Sequence, residues 1–100
     1  RSINYYENQN IKLNSNYLKN KPSYILNENF FNQPKEIVFR SFSKLLKKMG
    51  GKYYASRGKS ISQIIDQIET SKFKKATLSG CIIEKVNNSL IICKENHKKK

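Results

Sequence analysis

A chain of 100 residues has room for one domain with one modest core, and none for a nucleotide-binding sheet together with a substrate domain. Twenty Lys and Arg against seven Asp and Glu give a net charge of +13, which concentrates polyanions at the surface, nucleic acid before anionic membrane. One His, two Cys and so few acids make a complete enzyme implausible, and the chain reads as a piece cut from a longer cytoplasmic protein, with no signal peptide and no apolar run near the roughly 18 residues of a spanning helix.

Residues 1–33 hold nine asparagines and scattered aromatics (Tyr5, Tyr6, Tyr17, Tyr24, Phe30, Phe31) without a sustained period. Ile11 and Leu13 alternate as in a short strand, Tyr24-Ile25-Leu26 suits another, and Asn27 can cap a single helical turn that carries Phe30 and Phe31 onto the core. This segment is expected to be irregular, a connection from an upstream domain that is ordered where it docks. Its aromatics serve either to anchor that docking or to stack bases of single-stranded RNA.

Pro34 opens the next element, because its preset φ suits a first turn whose N–H has no partner, with Asn32 or Gln33 as the cap. Val38, Phe42, Leu45, Leu46 and Met49, with Phe39 beside them, form one stripe at helical period and predict a helix over 35–49. Glu36 in the first turn and Lys44, Lys47 and Lys48 near the end follow the helix dipole, and Gly50-Gly51 suits a left-handed stop. A second helix is predicted from Ser60, paired with Gln63 as a capping box, with Ile61, Ile64, Ile65 and Ile68 on one face. Burying each isoleucine is worth about 1.5–3 kcal/mol, so the two stripes should pack together. Further on, Cys81–Val86 and Leu90–Cys93 flank Asn87-Asn88 and predict a β-hairpin with apolar groups on both faces, one against the helices and one against the N-terminal segment or another domain. Whether Cys81 and Cys93 meet depends on the hairpin register; as two cysteines with a single tail His97 they form no zinc site. The expected fold is therefore α+β, a two-helix unit packed on a C-terminal hairpin with an irregular N-terminal segment. Its divisions are a docking linker over 1–33, the α+β domain over 34–95 and a basic tail over 96–100.

No glycine-rich phosphate loop and no nucleophile–His–acid set occurs, and Asp66 and Glu69 lie three apart on the polar face of the second helix, so no catalytic or metal-ligating residue is assigned. What remains is a basic cluster interleaved with aromatics where the helices join: Lys47, Lys48, Lys52, Tyr53, Tyr54, Arg57 and Lys59. Cations grip a phosphate backbone and tyrosines stack bases, which makes these the candidate nucleic-acid-binding residues. The charge has a second explanation, since seventeen of the basic residues are Lys in a chain also rich in Asn and Ile, the joint enrichment that a coding bias produces. The arginines carry more information, because guanidinium holds phosphate bidentately. Arg57, near the start of the second helix, opposes that helix's dipole, which suggests a role other than stability.

From Phe39 to Glu95 the chain resembles the first C-terminal domain of the tRNA isoleucine lysidine synthetases. The resemblance rests on Arg40-Ser41-Phe42-Ser43-Lys44-Leu45-Leu46 leading to Gly50-Gly51, on Tyr54-Ala55-Ser56-Arg57, on Ala76-Thr77-Leu78-Ser79-Gly80-Cys81, and on Leu90-Ile91-Ile92-Cys93-Lys94-Glu95. The chain has Tyr54-Ala55-Ser56-Arg57 where the family favours Tyr-Pro-Pro-Arg, and Lys94-Glu95 for a final Arg-Glu. The resemblance implies a domain that helps hold tRNA. An upstream ATP-pyrophosphatase domain of the same chain would adenylate the wobble cytidine using ATP with magnesium, and lysine would displace AMP to give lysidine. This stretch itself is expected to be non-catalytic. Two other readings stay open: a winged-helix DNA-binding module, from the order helix, turn, helix, hairpin, and a structural or dimerisation domain that would make the protein a homo-oligomer.

Overall fold

The structure, a computed structural model, describes residues 2–50, 58–78 and 80–94. In chain order the elements are α1 (Ser2–Asn14), β1 (Ser15–Leu18), β2 (Ser23–Leu26), a 3-10 turn (Glu28–Asn32), α2 (Lys35–Gly50), α3 (Gly58–Glu69), β3 (Lys75–Leu78), β4 (Cys81–Val86) and β5 (Ser89–Lys94). The protein is α+β, with the strands in one antiparallel sheet ordered β1-β2-β5-β4-β3.

The two predicted helices form where their apolar periods require. Val38, Phe42, Leu45, Leu46 and Met49 of α2 and Ile61, Ile64 and Ile65 of α3 share one buried cluster with the sheet residues Leu26, Cys81, Ile83, Leu90 and Ile92. The Pro34 carbonyl accepts from the Val38 N–H at 3.0 Å and so opens α2. At the other end Gly50 is still helical, so the stop expected at Gly50-Gly51 lies outside the described residues. α3 starts two residues before the expected cap; Ser60 is its third residue and not its N-cap.

The hairpin is also present, and its register settles the cysteines. Ile83 lies opposite Ile92 on the face toward the helices, whereas Ile82 lies opposite Cys93 and Cys81 opposite Lys94. Successive strand residues point to opposite faces, so the two thiols lie on different sides of the sheet and do not meet. Between Val86 and Ser89 the turn carries Asn87 at φ 56°, a left-handed value that asparagine tolerates better than a β-branched residue does.

The N-terminal segment is regular where its sequence shows no period. Ile11 and Leu13 do not alternate in a strand; α1 continues to Asn14, which turns Ile11 onto the core and leaves Leu13 70% exposed. β2 pairs with β5 and brings β1 with it, so this segment widens the sheet by its edge. The Asn27 turn forms as expected: the Asn27 side chain accepts from the Phe30 N–H at 3.1 Å, and Phe30 is fully buried. On the sheet face away from the helices, Ile25, Ile91, Ile82 and Cys93 stay half-buried and outside the core cluster, because the N-terminal strands extend the sheet and do not cover it. No helix among the described residues is long and apolar enough to cross a membrane.

Candidate nucleic-acid interface

Polar residues of α2 fall on the side that the apolar stripe leaves free. Arg40, Lys44, Lys47 and Lys48 stand at relative positions 0, 4, 7 and 8 and therefore form one arc on that side. Lys47 and Lys48 lie exposed in the last turn, with no ion-pair partner among the described residues. Arg40 Nε is 3.2 Å from Glu36 Oε2, and Lys44 Nζ is 3.5 Å from Glu7 Oε2 and 2.7 Å from Asn8 Oδ1. The Arg40–Glu36 pair is exposed on both sides, where an ion pair is worth about 0–1 kcal/mol, so a phosphate can compete for the guanidinium.

A shallow groove runs along this arc, lined by Glu7 of α1 and by Glu36, Phe39, Arg40, Ser43, Lys44 and Lys47 of α2. Its α3 side begins at Phe39, since a Cβ added to Gly58 would lie 3.5 Å from the Phe39 Cζ. Lys59, exposed in the first turn of α3, therefore starts beside Phe39. Eight residues of α2 separate Phe39 from Lys47, about 12 Å at the helical rise, so Lys59 and the Lys47–Lys48 pair occupy different levels of the helix pair. Lys52, Tyr53, Tyr54 and Arg57 lie outside the described residues.

Four contributors were not assigned to the site from sequence. Arg40 and Lys44 belong to it by helical spacing alone, a signal present in the sequence, where Lys44 reads as a complement to the helix dipole and Arg40 enters only through the family likeness. Tyr5 and Tyr6 come from α1, which runs antiparallel to α2: Asn8 and Glu7 meet Lys44, and Asn10 Nδ2 donates to Ser41 Oγ at 2.9 Å. Tyr5 and Tyr6 lie two and one residues nearer the α1 N-terminus than Glu7, about 3 and 1.5 Å along the axis, and so stand at the level of the α2 residues that follow Lys44 toward Lys47. They are 57% and 55% exposed, while Tyr24 and Phe31 pack on the core and Phe30 lies within it. No sequence signal placed them here, because only the helix–helix pairing does so.

Among the described residues no three His, Cys, Asp or Glu side chains are grouped so as to hold a metal ion. The arrangement offers cations for phosphate oxygens and aromatic faces for bases. Comparison of the chain with family models, with curated proteins and with solved structures gives no match.

Proposed function

We propose that this chain is the tRNA-holding C-terminal domain of a tRNA isoleucine lysidine synthetase, a binding module that works with an upstream ATP-pyrophosphatase domain and does no chemistry alone. The observation that carries the RNA-binding part is the arc Arg40, Lys44, Lys47 and Lys48 on one side of α2, ending where the chain enters the basic and aromatic segment Lys52, Tyr53, Tyr54 and Arg57. The naming of tRNA rests on the ordered likeness of Phe39–Glu95 to that family's domain. ATP, magnesium and lysine belong, on this reading, to the upstream domain. A helix that reads duplex DNA would need an exposed face free of acids, and α3 exposes Asp66 and Glu69, which phosphates repel.

The test is competition between an isoleucine tRNA and duplex DNA of equal length for the whole chain. The expected result is tighter tRNA binding that falls log-linearly with salt concentration. Arg57→Ala should weaken it by about 1–3 kcal/mol if the guanidinium makes a bidentate contact, while Lys100→Ala should cost a few tenths, about the worth of one exposed charge. Duplex DNA binding as tightly as tRNA would overturn the proposal. Incubation with ATP, lysine and the tRNA should yield no lysidine.

A further inference from the structure

Among the described residues Phe30 and Phe42 are fully buried, Phe31, Phe39 and Tyr24 pack against the core, and Tyr17, 49% exposed on β1, lies with its ring centroid 5.0 Å from that of Tyr24. Tyr5 and Tyr6 are the more exposed pair, standing side by side on α1 with more than half of each in water. They are held in place as well as exposed. Gln9 Nε2 donates to the Tyr5 hydroxyl at 2.7 Å from one turn on, and the two rings meet edge to face with centroids 5.3 Å apart. A ring already fixed by its neighbours loses little further freedom when a ligand covers it.

Their place in the fold points to the ligand. Glu7 of α1 pairs with Lys44 of α2. From that pair Tyr5 lies two residues, about 3 Å, along α1 and Lys47 three residues, about 4.5 Å, along α2, in the same direction because the helices are antiparallel. A fixed aromatic pair is thus level with the part of the cationic arc that has no ion-pair partner among the described residues. Resting on the RNA-binding reading above, we infer that Tyr5 and Tyr6 are a stacking platform for an unpaired nucleotide base while the phosphates beside it lie on Lys47 and Lys48. The RNA taken at this end of the domain is therefore a single-stranded segment. In an RNA duplex the bases stack on one another inside the helix and offer no free face, whereas a base in a loop or at an end can be laid on a tyrosine ring.

The chain contains no Trp and six Tyr, so its emission reports stacking on any tyrosine, and the part of the quench lost when Tyr5 and Tyr6 are both replaced by leucine is the part due to them. The experiment titrates the whole chain with a single-stranded oligoadenylate and with an RNA duplex of the same number of phosphates, following emission and affinity together. The single strand should bind at least tenfold more tightly and quench the emission. Tyr5→Leu with Tyr6→Leu, which leaves charge unchanged, should abolish the preference and most of the quench without changing the salt slope, and Tyr5→Phe should retain the preference. Lys47→Gln with Lys48→Gln should weaken both RNAs alike and flatten the slope. Circular dichroism of the leucine variant must match that of the parent, and if it does not, Tyr6→Leu alone is used, for which the preference should fall by half or more on a logarithmic scale. Equal affinity for duplex and single strand, or a leucine variant that keeps preference and quench, would overturn the platform while leaving the RNA-binding reading intact. Absence of binding to both RNAs and to tRNA would overturn the two together.

Discussion

Asn10 of α1 and Ser41 of α2 are joined by a buried hydrogen bond, Asn10 Nδ2 to Ser41 Oγ at 2.9 Å. The same amide donates to the Phe30 carbonyl at 3.2 Å, its oxygen accepts from Asn14 Nδ2 at 2.9 Å, and the Ser41 hydroxyl donates to the Ile37 carbonyl. One side chain therefore connects α1, the 3-10 turn and α2, and sets the level at which Tyr5 and Tyr6 stand beside α2.

Replacing that amide should cost stability out of proportion to its size. Asn10→Ala leaves the Phe30 carbonyl without this donor in a buried place, and the expected loss is about 1–3 kcal/mol. Chemical denaturation of the variant checks it, and an unchanged midpoint would show that α1 is not fastened through this residue. Weaker binding of single-stranded RNA should accompany the loss.

Asn27 presents a smaller case of the same kind. Its side chain caps the 3-10 turn by accepting from the Phe30 N–H at 3.1 Å, so Asn27→Ala should cost about 0.5–2 kcal/mol and Asn27→Asp much less, since a carboxylate accepts the same bond. Denaturant midpoints of the two variants, measured side by side, decide between a cap and a merely tolerated loop residue.

The hairpin turn gives a test of backbone conformation. Asn87 has φ 56°, so Asn87→Val should destabilise the fold by about 1–2 kcal/mol, because the second branch on the valine Cβ crowds the backbone in the left-handed region where asparagine fits, whereas Asn87→Gly should be neutral or stabilising. A valine variant as stable as the parent would mean that the turn takes another form.

Charge on the last turn of α2 should act through salt. Removing two phosphate contacts with Lys47→Gln and Lys48→Gln should reduce the slope of log affinity against log salt by about 1.4–1.8 for RNA, because each contact releases somewhat less than one counterion. Stability should change little, as both side chains are exposed. The result that tells against the interface is a slope that stays where it was.

The sequence by itself determined the elements whose burial repeats locally. The stripe from Val38 to Met49 and the isoleucines of α3 specify helices because their spacing matches one face, and the β-branched runs around Asn87-Asn88 specify a hairpin. It also showed, through Asn27, a cap whose partner lies three residues away. Only the tertiary structure decided the rest, for one physical reason: the determining partners are distant in sequence. α1 has no marked apolar stripe; it is helical where Asn10 finds Ser41, thirty-one residues on, and where Ile11 reaches the core. β1 and β2 are strands in a sheet that exists because β5 offers β2 an edge, with Tyr24 opposite Ile92 and Ile25 opposite Ile91. The asparagines of the first third read as linker composition until these partners are in place, and then Asn10, Asn14 and Asn27 are fasteners. The lysines of the site were visible as charge and the tyrosines as aromatic residues, but their adjacency is a property of two antiparallel helices, and no periodicity within either one contains it.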